Sequence, residues 1–345
     1  MSLARAIETG DVALLPSRRD EEWRWTDLRG LIRAAPPPSP EWDGPLAPGP
    51  FSGVEAEEVL IVNGRGPDRI AVGPGERRTV ALRLIAAPNA GSHLSRLAIT
   101  VGEGAELTLL ESHEGAGEAY LTAGDLTIDL APGARVERIV MGVESESGVA
   151  VSIAKVRAAP SARFEQTVLV SGARRERVET VVEHPGAGAS VRLDGVYLLA
   201  DRRHSDITTV VTHAGVDGVT DQLVKGVVDG QARGVFQGRI VVARGADQTD
   251  ARMGHHALIL SDRAEVDAKP ELEIFADDVA CAHGNTIGAL DEEALFYAAQ
   301  RGIPPDEARA LLIQAYVGEV VDRIAHEGAR DVARAWVAQR MGGSL

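Results

Sequence analysis

A chain of 345 residues, 44% of them hydrophobic, is long enough to bury a large core, and its formal net charge is −15. That acidity argues against binding a nucleic-acid backbone, which rests on clustered positive charge; the short basic run Arg174-Arg175-Glu176-Arg177 is interrupted by an acid. A single cysteine, Cys281, excludes an intramolecular disulfide and any self-contained cysteine-rich zinc or iron–sulfur site.

The three lysines, Lys155, Lys225 and Lys269, precede Val, Gly and Pro, so no phosphate-binding Gly-Lys-Ser/Thr loop is present and the chain is not itself a P-loop ATPase. Neither G-x-S-x-G nor H-E-x-x-H occurs, which counts against serine hydrolases and zincins. The start, Met1-Ser2-Leu3-Ala4-Arg5, has no apolar signal core, and no run of about 18 apolar residues follows. A soluble, cytoplasmic protein is expected.

In chain order, residues 1–54 open with helical material at Ala4-Arg5-Ala6-Ile7 and at Glu21-Glu22-Trp23-Arg24-Trp25-Thr26-Asp27-Leu28. The proline-rich stretch from Pro36 to Pro50 then reads as a linker or a strap laid over the next domain. Residues 55–288 are short runs rich in Val, Ile, Leu and Thr, broken by Gly, Asp and Pro. Small-residue phrases recur there: Ala105, Ala134, Ala162 and Ala189, each feeding a strand-like run, stand 29, 28 and 27 positions apart, with an echo at Arg263-Ala264-Glu265-Val266. A turn feeding an alternating strand at a drifting period predicts a mainly β fold, a right-handed parallel β-helix, with an array of β-sandwiches as the competing architecture.

After residue 288 the texture becomes helical, giving a C-terminal helical domain over 289–345. Asp291 is placed to cap a first helix and Gly302 to stop it. Pro304-Pro305 opens a second, with an apolar stripe of Ala308, Leu311, Leu312, Ala315, Tyr316 and Val320. A third, near 329–340, carries Val332, Ala335 and Trp336. The stripe is either a core face or a docking face.

The chemistry concentrates at Cys281-Ala282-His283-Gly284. On a strand ending at Gly284, residues two apart share a face, so thiolate and imidazole could point together. Both are competent iron ligands, and the alternative is a packed cysteine beside a hydrogen-bonded histidine. The adjacent His255 and His256 point to opposite faces, one inward and one outward, and so cannot easily hold one ion. His184, His204 and His213 are expected to be surface or structural. Asp262, Glu265, Asp267, Glu271 and Glu273, placed along two successive strands, form either an acid–base ladder or, as favoured here, a solvated face beside Arg263 and Lys269.

The run from Asp262-Arg263-Ala264-Glu265 to Pro270-Glu271-Leu272-Glu273-Ile274, then Asp277-Asp278-Val279 and Cys281-Ala282-His283-Gly284, resembles the C-terminal signature of the SufB/SufD family. Gly288-x-Leu290-Asp291-Glu292-Glu293-x-Leu295-Phe296-Tyr297 looks like its strand-to-helix junction, and Glu22-Trp23-Arg24-Trp25-Thr26-x-Leu28 like its entry helix. The resemblance is specific over roughly 250–320 and looser elsewhere.

It implies a non-enzymatic subunit, without catalytic residues, of a scaffold that assembles iron–sulfur clusters. A SufB-like sister would pair with it through the β-helices, and a SufC-like ATPase would dock on the C-terminal helices, for which Leu295, Phe296, Leu311, Leu312 and Tyr316 are the candidate contacts. The single cysteine favours the SufD branch. His283, with Cys281, would then meet iron or a transient cluster shared with the partner chain, none being held stably by this chain alone. ATP-driven closure of the ATPases would strain the helices, open the junction and expose the pair. The competing expectations are a β-helix carbohydrate enzyme and an adaptor without a metal role; a homodimer is a further possibility for the isolated chain.

Overall fold

Two faces of one coiled ribbon organise the molecule. The computed structural model describes residues 2–342. Seventeen strands, from β1 (Glu57–Val62) to β17 (Val279–Gly288), alternate between a nine-stranded sheet of odd-numbered strands and an eight-stranded sheet of even-numbered ones. Neighbouring strands pair in parallel, each with the strand two places on, so one rung contributes one strand to each sheet. This is the expected parallel β-helix.

The repeat has a physical origin. Gly104, Gly133 and Gly188 take φ of 63°, 67° and 72°, a left-handed conformation that glycine adopts without strain, and Ser161 takes φ 57° in the same role. Each is followed by an alanine that is at most 1% exposed: Ala105, Ala134, Ala162 and Ala189. The corner is tight, and a larger side chain would not fit there. The echo at Ala264 belongs elsewhere, because it precedes β16 (Glu265–Ile274) and so stands at a corner feeding the even sheet.

Inside, two clusters of Val, Ile, Leu, Phe and Ala fill the space between the sheets. Fully burying one such aliphatic side chain contributes about 1.5–3 kcal/mol, so stacked rungs hold each other where a lone rung could not. Tyr197 lies wholly inside, and glycines make room for it: a Cβ at Gly226 would stand 1.9 Å from its ring.

The outer faces are sheathed by the terminal segments. Helix α1 (Ser2–Thr9), the link after it and α2 (Leu28–Leu31) pack Leu3, Ile7, Leu15 and Leu28 on Leu121, Val149 and Val151 of the even sheet. The tryptophan segment is not one helix. It is a 3-10 turn, Glu21–Trp23, followed by the short α2. It is drawn out because it serves the sheet: Thr26 donates to the buried Asp206, Glu22 O accepts from Arg177, and the Arg177 guanidinium stacks 4.4 Å from the Trp23 ring.

The proline-rich stretch is a strap, as one expectation had it. β2 (Arg69–Val72) reaches only the last four residues of β4 (Ser92–Val101), and Pro38 bridges to Ser92 beyond it. Further along, Ala47 O accepts from Arg83 of the odd sheet.

The C-terminal helices α3 (Glu292–Gln300), α4 (Pro305–Val321) and α5 (Glu327–Gly342) begin as expected, with Asp291 accepting from Glu293 N and Ala294 N, and Gly302 at φ 78°. α4 and α5 fold back over the outer face of the odd sheet, against Leu110, Ile139, Met141 and Val196. The buried face of α4 is Ala308, Ile313, Val317, Val320 and Val321. Leu311 and Ala315, assigned to the apolar stripe above, lie outside it, since the helix is rotated to seat Ile313 and Val317 on the sheet. No helix among the described residues is long and apolar enough to cross a membrane.

Candidate functional site at the open end of the solenoid

β17 pairs only with β15 (Thr249–Ile259), and the register sets Ala251 beside Cys281, Met253 beside His283 and His255 beside Asn285. Ala251, Met253 and His255 are buried in the interior, so Cys281, His283 and Asn285 share the inward face of the last rung. Among the described residues no further rung stacks on them. Cys281 is half-buried against the interior cluster, while His283 and Asn285 are exposed. The strand does not end at Gly284, because the ladder with β15 continues to Gly288.

Burial pushes the Cys281 thiol above its ordinary range, against the opposing effect of a backbone hydrogen bond at Ala251. The group is therefore a neutral thiol at pH 7, and a metal binding it would displace a proton. No group of three or more His, Cys, Asp or Glu side chains converges as a metal set among the described residues. Two donors on one strand face can supply part of a four-coordinate site; the rest would have to come from elsewhere.

The other histidines are structural. His255 is buried, hydrogen-bonded to the Tyr197 hydroxyl at 2.9 Å and to Asn285 Oδ1 at 2.7 Å, and burial pushes its pKa down to about 4. His256 faces outward to Thr286 Oγ1 at 2.7 Å, the opposite-face arrangement expected. His184 and His213 stack inside the solenoid at 4.3 Å, and His204 lies under Trp25 O.

Asp262 lies in the turn before β16, and Glu265, Asp267, Glu271 and Glu273 alternate along that one strand rather than two. Its inward positions are apolar and its outward ones charged, with Asp267 2.7 Å from Arg233 and Glu271 3.2 Å from Lys269. This ion-paired outer face matches the solvated-face expectation.

Around the site, large apolar residues of the last rung and of the turn after β16 reach solvent. Ile274 is 41%, Phe275 58% and Ile287 45% exposed. On the C-terminal helices Phe296 is 67% and Leu311 49% exposed, while Leu295, Leu312 and Tyr316 are half-buried.

One interior feature escaped the sequence. Glu111, on β5 (Glu106–Gly115), accepts from Arg138 Nε at 2.8 Å and Nη2 at 2.7 Å, and Arg138 Nη1 donates to Gln166 Oε1 at 2.6 Å; all three are buried. Gln166 continues to Thr180 on the even sheet. Arg138 holds the Glu111 carboxyl down at about 2 against the cost of burial. The only signal was charged residues at inward positions of strands, visible once the register is known.

The chain matches the model of the SUF system FeS cluster assembly SufBD core domain over residues 84–316. It is 29% identical to the iron–sulfur cluster assembly protein SufD of Escherichia coli, over 99% of this chain and 92% of that protein. It is 28% identical to the SufBD family protein Rv1462 of Mycobacterium tuberculosis, over 93% of this chain and 88% of the relative. With the chloroplastic protein ABCI7 of Arabidopsis thaliana it shares 31% identity over 69% of this chain, though only 51% of that protein. A two-sheet solenoid that ends on an inward-facing Cys-x-His strand is thus accompanied by a match across most of its length, and the chain belongs to the SufBD family of iron–sulfur cluster assembly proteins.

Proposed function

We propose that the chain acts in the cytoplasm as a SufD-like, non-catalytic subunit of a SufB–SufC–SufD-type scaffold, and that its open C-terminal rung is where a SufB-like sister pairs. His283 supplies one ligand to iron or to the nascent cluster, Cys281 a second once its proton is displaced, and the sister chain supplies the remaining thiolates. The observation that carries this reading is the placement of Cys281 and His283 on the inward face of a rung on which no other stacks among the described residues. The exposed Ile274, Phe275 and Ile287 beside them give the sister an apolar surface to cover. A SufC-like ATPase docks on the C-terminal helices, where Phe296 and Leu311 stand out from the fold.

The test is anaerobic co-purification of the tagged chain with its partners, followed by iron and sulfide loading of the complex with and without His283→Ala. Recovery of a cysteine-bearing sister and an ATPase, with loading reduced at least about tenfold by the substitution, is expected. Equal loading of the variant complex would remove His283 from the site. Recovery of the chain alone would remove the scaffold assignment.

A further inference from the structure

The fold builds a basic groove that neither the net charge nor the sequence runs announce. Glu176 interrupts the run Arg174-Arg175-Glu176-Arg177 only on paper: at the start of β10 (Arg175–His184) its side chain turns into the solenoid and is 2% exposed, while Arg175 stays outside. Arg174, Arg175 and Arg202, at the corners of successive rungs, line an elongated depression on the even-sheet side. Arg18, Arg19 and Arg33 of the N-terminal segment line its continuation, and Arg175 and Leu31 belong to both parts.

None of these six arginines forms an ion pair among the described residues, in a chain with 51 Asp and Glu against 36 Lys and Arg. Other basic side chains of the same sheet, such as Arg157, Arg177 and Arg239, do find carboxylates. Burial and the neighbouring Arg233 and Arg174 lower the pKa of Arg175, with Asp27 opposing them only in part, so positive charge is concentrated there. Its Nε is buried with no partner.

The groove also contains a second unmet group. His204, on β12 (His204–His213), is 1% exposed, bonded through Nε2 to Trp25 O at 3.0 Å, and its Nδ1 has no partner. Since Nε2 must carry the proton to meet a carbonyl, Nδ1 is a bare acceptor. Water, or a hydroxyl on a bound phosphate, would satisfy it.

We propose that this groove binds a compact phosphorylated ligand carrying two or more phosphate groups. Guanidinium forks match phosphate oxygens in pairs, and several unpaired arginines around one depression outbid what a single surface arginine offers. A compact ligand fits better than a long polyanion. Asp201, Glu146 and Glu265 line the depression too and Asp27 lines its continuation; Glu146 and Glu265 are paired with Arg203 and Arg233, and the protein around it is acidic. A nucleic-acid strand would have to run past that charge, whereas a pyrophosphate unit stays within the cluster.

The experiment is calorimetric titration of the full chain with inorganic pyrophosphate and, separately, ADP, at low salt and again with added KCl. Binding that weakens with KCl is expected. Arg175→Gln and Arg33→Gln should each weaken it about tenfold, the scale of one lost charge-assisted contact. Arg309→Gln, at an exposed α4 arginine far along the chain from the groove residues, should leave it within about twofold. Tighter binding of ADP than of pyrophosphate would identify a nucleotide as the natural source; equal binding would identify the inorganic anion. If Arg175→Gln fails to fold, Arg33→Gln and Arg202→Gln, both exposed and without side-chain hydrogen bonds, carry the test. The proposal is overturned by no binding, by equal loss in Arg309→Gln, or by tighter binding of a single-stranded oligonucleotide or an acidic peptide.

Discussion

At the N-terminal end of the solenoid β2 gives four residues to β4, and the proline-rich strap continues along the same strand through Pro38 and Ser92. At the C-terminal end β16 and β17 each present ten residues, and among the described residues no strand pairs with their outer edges. An uncovered edge offers its backbone N–H and C=O groups to any incoming strand, and proteins usually blunt one with short strands, proline or a covering loop. The first end uses two of these devices. The second has only Pro270, on β16, which removes one donor from that edge; β17 carries none. The contrast teaches that one end of the coil is covered and the other leaves its edges open.

The sharpest way to break the comparison is to attack the closed interior. Glu111→Ala leaves Arg138 buried without its carboxylate and should cost about 3–5 kcal/mol of stability, read by urea denaturation. The same experiment on His283→Ala, at the open end, should give a change within about 0.5 kcal/mol. If both variants are equally unstable, the end rung is as integral to the fold as the middle.

A smaller effect sharpens the interior side. Burial, reinforced by Glu144, pushes the Glu176 carboxyl up to about 7 from 4.5. The folded chain therefore holds a proton that the unfolded chain has lost. The stability present in full below pH 4.5 falls as pH rises through about 7. Glu176→Gln should remove this dependence and gain about 2 kcal/mol relative to wild type at pH 8. Parallel stability curves from pH 5 to 8 would contradict it.

The smallest expected change concerns the open end. Phe275→Asp should leave the urea midpoint nearly unmoved, since the side chain is already 58% exposed, yet weaken pairing with a SufB-like sister about tenfold in a pull-down titration. Unchanged pairing would move the junction elsewhere.

How far the sequence could be read follows from how local each signal is. The corner phrases around Ala105 and Ala134 are local, because a left-handed glycine and a small residue after it are demanded by the turn itself. The Cys281-x-His283 pairing on one face was equally legible, since alternation needs only the strand. That this face is the inward one, and that the strand outlasts Gly284, depends on the ladder with β15. The Glu111–Arg138 pair and the arginine groove lie across rungs, so their partners are fixed by register, which spacing that drifts between 27 and 29 cannot reveal. The seating of α4 stays open in the sequence for a related reason: Leu311 and Ile313 are equally apolar, and only the shape of the odd sheet chooses between them.

The return of the C-terminal helices has a mechanical meaning. α4 and the loop after it are bolted to the middle of the coil, by Lys225 to Tyr316 O at 2.9 Å, Arg323 to Asp194 at 3.1 Å, and His326 N to Glu137 at 3.0 Å. Between that anchorage and the last rung runs only α3, which buries no side chain. Force applied to α4 is therefore borne first by the middle rungs, and it reaches β17 through α3 or through the ladder with β15. A motor pulling on these helices would tilt the coil as a rigid beam before it could peel away the rung that holds His283.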